Sequence, residues 1–443
     1  MEWVKKELSG IKLGDERLNK RSAKLLKSFA SKPSASIPTA CGGWSETLAA
    51  YRFFGQEGIA WNDILQPHID CTLIRSQAYP VVLCLQDTTE LNFNGQSIEG
   101  LGPLSYEAQR GMYLHPTYAV TPERLPLGVL DAWMWAREPK DADGERRGIC
   151  ESARWREGYE RVAEVAEAHP DTRWVYVADR EADILGLMQR AHALKNPADW
   201  LIRSQHNRKL GKDEAKLWEQ VERAQVLGEI RFHLQPRPGQ KGREVSQQLR
   251  SLRVGLADGN GGTFEVSALL AREIAPPEGE KAVEWRLMTN LPASTLDAAR
   301  ELIDWYRCRW EIEMFFNILK NGCKVEALQL SAMPRVELAL AFYLITAWRI
   351  GYLMRLGRSC PEMDGEAVFE REEWQAAWLV ARKPLPDKPP TLNEIIRVIA
   401  GFGGFLGRKG DGEPGAKTLW IGLQRVMDFA IGIRAMREAQ NCV

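Results

Sequence analysis

The sequence predicts a mixed α/β protein of several domains, and three observations carry this prediction. The chain has 443 residues, which exceeds the size of a typical single domain. Short apolar runs typical of buried strands alternate with amphipathic helical patterns between residues 76 and 205. After residue 330, apolar residues recur mainly at helical spacing. We therefore predict three domains, at residues 1–75, 76–330 and 331–443.

Composition excludes several classes of protein. Hydrophobic residues make up 44% and charged residues 27%, as in ordinary globular proteins. The longest predominantly apolar run, 338–348, is shorter than the roughly 20 residues that a membrane span needs, and the N-terminus lacks a signal-peptide core. The eight cysteines include no Cys-x-x-Cys pair, so neither a zinc site nor a disulfide framework is expected. We expect a cytoplasmic protein without a membrane partner.

The net charge is zero, but the positive charges are clustered. Residues 1–32 hold nine Lys or Arg against four acidic residues, and residues 206–255 hold eleven against six. A helix is predicted over 15–31, with Asp15 as its N-cap and a basic face opposite an apolar one. That basic face is either a solvated surface or a surface for DNA phosphates. It consists of Arg17, Lys20, Arg21, Lys24 and Lys27.

Two buried strands in the second domain lead into aspartates. The continuous apolar runs 81–85 and 174–178 are typical of strands buried on both faces, and Asp87 and Asp179 follow them. Side chains at the carboxyl ends of strands can face a crevice beside a sheet, although such an aspartate is more often a turn former or a helix cap. Further elements complete an order of strand, strand, strand, helix, strand, helix, strand. They are strands at 113–120, 127–135 and 200–202, and helices at 154–168 and 182–194. A further helix is predicted at 45–54, in the first domain.

The remaining chain is predicted to be β-rich and then helical. Glycine and proline punctuate β-like segments at 206–285, which we interpret as a β-rich insertion with strands at 249–256 and 264–271. One long helix is predicted at 294–320. Two further helices are predicted at 336–354 and 393–404, separated by a proline-rich joint.

The helix predicted at 294–320 carries an unusual polar stripe. Tyr306, Arg309, Glu313 and Lys320 lie at offsets of 0, 3, 7 and 14, which places them on one narrow face. One carboxylate among two cations and a tyrosine is not typical of a core face. Together with two strand-end aspartates, it could hold hard divalent ions through oxygen ligands. Two such ions can activate water or a 3′-hydroxyl against a phosphodiester.

These motifs resemble a known family. The segments Leu85-Gln-Asp87-Thr-Thr-Glu and Val177-Ala-Asp179-Arg-Glu-Ala-Asp183 precede the spacing Tyr-(2)-Arg-(3)-Glu-(6)-Lys. In combination they are similar to the DDE transposases of insertion-sequence family four, cut-and-paste enzymes of bacteria. Segments 13–17 and 403–415 are also similar to this family, so the resemblance runs nearly end to end.

The resemblance implies a fold and a reaction. It implies an RNase H-like catalytic core with Asp87 on strand one, Asp179 on strand four and Glu313 on a late helix, interrupted by a β-rich insertion. Helical N-terminal DNA-binding and C-terminal dimerisation domains would flank it. The three carboxylates would bind two Mg²⁺ or Mn²⁺ ions per active site. A homodimer, associated with the nucleoid, would pair the terminal inverted repeats and cleave them through a hairpin intermediate. It would then join the 3′-hydroxyl ends to target double-stranded DNA.

The resemblance also implies DNA contacts outside the carboxylates. Arg309, Lys320 and Tyr306 would hold phosphates near the scissile bond. Basic residues after the strand at 200–202 would contact the DNA backbone, although they could also be ordinary surface charges. Two tryptophans would bind a flipped base, although they could also pack in the core. These residues are Arg203, Arg208, Trp285 and Trp310. The basic face at residues 17–27 would recognise the element ends.

Two other functions stay open at this point. One is a DNA-binding remnant that has lost catalysis, and the other is a metal-dependent nuclease on the same fold. The intact set of carboxylates disfavours the first, and the additional helical region disfavours the second. Inverted repeats in the DNA flanking the gene would distinguish a transposase from a nuclease.

Overall fold

The computed structural model describes residues 1–146, 148, 150–210, 215–234 and 242–441. Its helices are α1 (Glu2–Glu7), α2 (Glu16–Ser31), α3 (Ile37–Cys41), α4 (Trp44–Phe54), α5 (Trp61–Ser76), α6 (Glu151–Ala168), α7 (Leu185–Ala193), α8 (Leu217–Arg223), α9 (Leu296–Arg307), α10 (Trp310–Asn317), α11 (Met333–Ser359), α12 (Arg371–Val380), α13 (Leu392–Phe402) and α14 (Ala416–Asn441). Its strands are β1 (Val81–Gln86), β2 (Thr89–Asn92), β3 (Gly102–Pro103), β4 (Arg110–Val120), β5 (Pro126–Trp135), β6 (Arg173–Ala178), β7 (Asp199–Arg203), β8 (Val226–Leu234), β9 (Arg243–Ala257), β10 (Thr263–Glu273) and β11 (Glu284–Thr289).

All of these strands join one mixed sheet, and the predicted α/β class is confirmed. The order is β2-β4-β1-β6-β7-β11-β10-β9-β8, with β3 and β5 also paired to β4. The pairs of β1 with β6 and of β6 with β7 are parallel, whereas the other named pairs are antiparallel. The parallel strands therefore end at one edge of the sheet, where their following residues meet.

The sheet separates two apolar cores. Because side chains alternate along a strand, Leu83 and Leu85 of β1 face one core while Val82 and Cys84 face the other. The first core includes the N-terminal helices, α11 and the C-terminal helices, and the second includes α6, α7 and α8. The strands that end beside this edge are thus packed on both faces.

The N-terminal helices are built on α11. Asp15 caps α2 as predicted, since its carboxylate accepts a hydrogen bond from the Arg17 backbone at 2.8 Å. Phe29 of α2 is fully buried and stacks on Tyr343 of α11 with ring centroids 4.9 Å apart. The predicted 45–54 helix is confirmed as α4. These helices share the core of the whole molecule and leave the basic face of α2 on the outside.

The segment predicted as β-rich extends the sheet beyond β7. It supplies β8, β9 and β10, with β11 starting at its end, and it also contains α8, which the pattern did not predict. Residues 211–214 and 235–241, including Pro236, Pro238 and Gly239 that helped to define the predicted insertion, lie outside the described residues.

The prediction of one continuous helix at 294–320 is wrong. The chain tightens after α9: the backbone N–H groups of Cys308, Arg309, Glu311 and Ile312 bond to carbonyls only three residues earlier. Residues 318–322 then widen into a π-helical turn, closed by a 2.8 Å bond from Cys323 N–H to the Ile318 carbonyl. The 100° per residue that placed Lys320 on the stripe therefore does not hold beyond α10.

Helix α11 is the central core helix. Among the described residues it is the one helix long and apolar enough to cross a membrane, but most of its apolar window is buried in the protein. It contacts α2, α5 and β5, and α13 and α14 pack against it. The apolar residues at 338–353 could in principle serve subunit contact or burial within one chain, and the structure shows that the chain covers them itself.

Candidate active site

Asp87 and Asp179 lie side by side at the sheet edge. Gln86 of β1 pairs with Ala178 of β6 in parallel register, so the aspartates that follow occupy neighbouring positions. Neighbouring strands lie about 4.8 Å apart, which keeps the two carboxylates within reach of a shared ligand. Asp87 accepts a hydrogen bond from Thr88 N–H at 2.9 Å. Asp179 caps the 3-10 turn Arg180–Ala182 by accepting from Glu181 N–H at 2.8 Å.

Arg309 links Asp87 to Glu313. Its Nη1 lies 2.6 Å from Asp87 Oδ2, and its Nη2 lies 3.2 Å from Glu313 Oε1. Arg309 sits at the tightened turn between α9 and α10 and is only 8% exposed. The break in the predicted helix thus directs this guanidinium inward, between a carboxylate of the sheet and one of the helix.

The site has an excess of negative charge. Burial raises the pKa of Asp87 to about 7, with Arg309 opposing this rise and the charges of Asp179 and Glu313 adding to it. The rise in pKa comes mainly from lost solvation, which one buried guanidinium shared among three carboxylates does not offset. Such a cluster favours the binding of an additional cation.

The three carboxylates offer the oxygen donors that Mg²⁺ and Mn²⁺ prefer. Their chemistry and the uncompensated charge at Asp87 fit a divalent ion. Within the part of the chain that the structure describes, no group of three or more His, Cys, Asp or Glu side chains is arranged closely enough to hold a metal ion. Arg309 lies between Asp87 and Glu313 instead, so the guanidinium must move for both to bind one ion.

Arg203 and Tyr306 border the carboxylates. Arg203 ends β7 and follows Ile202, which pairs with Ala178, so Arg203 stands next to Asp179 along the edge. Among the described residues, its guanidinium has no ion pair. Tyr306 is buried at the end of α9, and burial raises the pKa of its hydroxyl. Lys320, in the π-helical turn, is half-buried and has no ion-pair partner in the described ranges.

Arg208 does not face solvent, which argues against the DNA contact expected from the sequence. Its Nη1 lies 2.6 Å from Asp183 Oδ1, and its Nη2 donates to the Asp183 carbonyl at 2.8 Å. Asp183 is 3% exposed and also accepts from the backbone N–H groups of Gln205 and His206. This buried ion pair fixes the loop that follows Arg203, so Arg208 has a structural role.

Trp285 and Trp310 come from separate elements and line one pocket. The pocket has a volume of about 440 Å³ and also includes Glu313. Trp310 is 48% exposed, so core packing does not explain it. Trp285 is half-buried and stacks on Phe232 of β8 with centroids 5.5 Å apart. The pocket therefore presents aromatic surface directly beside a carboxylate.

The basic face of α2 is mostly exposed, but acidic side chains accompany it. Arg17 pairs with Asp15 at 2.7 Å, and Lys20 lies 3.8 Å from Glu16. Glu46 of α4 pairs with Arg21 and lies 3.9 Å from Lys24. Lys27 is exposed. Surface pairs of this kind are weak, so phosphates can compete for these cations.

A largely buried polar chain behind Asp87 was not predicted from the sequence. It runs through Thr88, His115, Gln86 and Thr117, which are connected by hydrogen bonds. The contacts of His115 could not be predicted from local pattern, because its partners lie on β1 and directly after it. The signal available was a histidine inside the otherwise apolar strand pattern at 113–120.

Comparison with known protein families gives three matches. Residues 1–59 match the transposase DNA-binding family, residues 155–349 the transposase DDE domain, and residues 345–442 the transposase Tn5 dimerisation domain. The DDE match contains Asp179 and Glu313 and implies an RNase H-like core and dependence on divalent metal. Together the matches support a DNA transposase that binds DNA and forms a homodimer.

Proposed function

We propose that this protein is a cut-and-paste transposase of the insertion-sequence family four type. It would cleave the terminal inverted repeats of its element and join the 3′-hydroxyl ends to target DNA. The observation that carries this proposal is the meeting of Asp87 and Asp179 at paired strand ends, with Glu313 joined to Asp87 through Arg309. The three transposase family matches support it independently.

Asp87, Asp179 and Glu313 would hold two Mg²⁺ or Mn²⁺ ions, which when bound activate water or a 3′-hydroxyl and stabilise the leaving oxygen. Arg309 pairs with two of the carboxylates in the metal-free protein. Once displaced, its guanidinium becomes free to bind a phosphate in bidentate fashion. Arg203 would bind a phosphate on the Asp179 side of the site, and Tyr306 and Lys320 would support the strand near Glu313.

The aromatic pocket suits a hairpin intermediate. In that route the first cut frees a 3′-hydroxyl, which attacks the opposite strand, and water later reopens the closed end. A tight hairpin leaves a base unstacked, and a base can be held between aromatic side chains. Trp285 and Trp310 would receive it beside Glu313.

Replacing Arg203 by alanine is expected to weaken binding of end DNA by about 3- to 10-fold. The slope of log Kd against log salt concentration should also fall by about one, because one phosphate contact is lost. Filter binding or gel shifts across a salt series would measure both. Lys195→Ala is the matched control, since Lys195 is exposed and lies just after α7, at the opposite edge of the sheet. An unchanged slope for Arg203→Ala would argue against the phosphate contact.

Replacing both Lys24 and Lys27 by alanine is expected to weaken binding to the element ends and lower the salt slope by about two. Both side chains are exposed, so the fold should be preserved. Deleting residues 1–40 would be a poorer test, because it would uncover the core around Phe29. The double variant with arginine at both positions should bind normally. Undiminished end binding by the alanine variant would place recognition elsewhere.

Dimerisation is expected to depend on the exposed apolar side of α14. Phe429 and Met436 are 52% and 64% exposed and lie seven residues apart, on one helix face. Phe429→Asp together with Met436→Asp should abolish the paired-end complex without reducing binding to a single end. Light scattering of the protein–DNA complex would report its mass. Leu406→Asp, at another exposed apolar residue, is the control. A paired complex of normal mass in the double variant would contradict this interface.

A further inference from the structure

A chain of hydrogen bonds, buried at its inner end and partly buried at Thr88, runs from the sheet to Asp87. Thr88 donates its backbone N–H to Asp87 Oδ1 at 2.9 Å, and its hydroxyl lies 2.8 Å from His115 Nδ1. His115 Nε2 lies 3.2 Å from Gln86 Oε1, and Gln86 Nε2 donates to the Thr117 hydroxyl at 2.6 Å. Gln86 and His115 are fully buried.

The partners determine the direction of each hydrogen bond. Gln86 Oε1 can only accept, so the proton of His115 lies on Nε2. His115 Nδ1 must then accept from the Thr88 hydroxyl. Burial, aided by the charge of Arg154, lowers the pKa of His115 to about 3, which keeps the ring neutral and this order intact. Thr88 is thereby held through its side chain while its backbone holds Asp87.

The surrounding residues leave this chain little freedom. Trp133 and Trp155 pack edge-on against the His115 ring, at centroid distances of 5.6 and 4.6 Å. Gly158 of α6 lies against Gln86, where a Cβ atom would approach the side-chain amide to 2.2 Å. The glycine is therefore required for the close approach of α6 to the hydrogen-bonded chain.

We propose that His115 is a positioning residue, which acts through Thr88 to orient the Asp87 carboxylate for metal binding. Arg309 holds the other oxygen, Oδ2, which an ion could take only after this guanidinium has moved. The Thr88 N–H then remains as the hydrogen bond that fixes the carboxylate. The inference rests on the metal site of the proposed function. Residues that orient a ligand in this way typically contribute about 10- to 100-fold to metal affinity.

The test compares Thr88→Val with Thr88→Ser in the full-length protein. Valine removes the hydroxyl and keeps the shape, whereas serine keeps the hydroxyl. Calorimetric titration with Mn²⁺ in the absence of DNA should show a Kd about tenfold higher for Thr88→Val and a change of less than about twofold for Thr88→Ser. Cleavage by Thr88→Val should require a correspondingly higher Mg²⁺ concentration. A lowered melting temperature with wild-type Mn²⁺ affinity would show that the hydroxyl is merely structural and overturn the proposal.

A second pair of variants tests the same chain from its far end. Gly158→Ala should displace Gln86 and raise the Kd for Mn²⁺, whereas Gly186→Ala should not, because a Cβ atom at Gly186 of α7 meets nothing within 4 Å. Normal Mn²⁺ affinity in Gly158→Ala would count against a positioning role for this chain of hydrogen bonds. Asp87→Ala distinguishes failure of the metal site from failure of the positioning role. If Asp87→Ala binds Mn²⁺ as well as the wild type does, the proposed metal site is refuted. If Asp87→Ala loses Mn²⁺ affinity but Thr88→Val and Gly158→Ala do not, only the positioning role of His115 is refuted.

Discussion

Replacing Glu313 by alanine is expected to abolish both strand cleavage and strand transfer, with a loss of rate of about 1,000-fold or more. Glu313 is the only carboxylate of the proposed set that comes from a helix, and its Oε1 is already linked to Asp87 through Arg309. Binding of end DNA should remain within about threefold of wild type, because phosphate contacts rather than this carboxylate provide affinity. Gel analysis of cleavage and joining products would measure the loss.

The matched control is Glu301→Ala. Glu301 is exposed on α9, twelve positions before Glu313, and lies outside the carboxylate group. It should cleave and join at the wild-type rate. A Glu313→Ala protein that cleaves at a normal rate would refute the assignment. Cleavage retained with joining lost would instead favour a role in strand transfer alone.

Replacing Asp87 by asparagine is expected to stabilise the metal-free protein at pH 8 by about 2–4 kcal/mol while removing activity. The folded-state pKa of Asp87 is raised to about 7, well above that of an unfolded aspartate near 4. Between these values the folded protein holds the proton more tightly, so wild-type stability falls as the pH rises from about 4 to about 7. Asparagine stays neutral and avoids that loss.

Urea unfolding in EDTA at pH 4.5 and pH 8 would measure this effect. The difference in free energy of unfolding between Asp87→Asn and wild type should be small at the lower pH and largest at the higher one. Asp131→Asn is a useful comparison, because burial raises the pKa of Asp131 to about 6 at a position that pairs with Arg161. An Asp87→Asn protein that is less stable than wild type at pH 8 would contradict the proposed charge excess.

The strand-end aspartates were predictable because local pattern determines them. A continuous apolar run ending in a polar residue specifies a buried strand and its end, whichever strands surround it. The parallel register that places Asp87 beside Asp179 required the whole sheet. The pairing of β8 with β9 likewise required the whole sheet, although residues 229–234 alternate polar and apolar in the sequence.

The contact of Arg309 with Asp87 could not be predicted from the spacing of residues in the sequence. The helical stripe placed it beside Glu313, which the structure confirms, but its approach to Asp87 joins residues 222 positions apart. The tightened turn at 308–312 makes that approach possible, and no residue there has the propensity to break a helix. Similarly, the burial of Arg208 depends on Asp183, whose position inside the protein follows only from the packed loop.

The most direct test of the account is a reconstituted reaction on DNA that carries the gene with its flanking sequence. Purified full-length protein, Mg²⁺ and a target plasmid would be incubated together, and both ends and all joined products would be sequenced. We predict cuts at matched inverted repeats on both sides of the gene, joining of the 3′ ends to the target, and loss of all products in Asp179→Ala. Cleavage at unrelated positions without joining, or products that persist in Asp179→Ala, would contradict it.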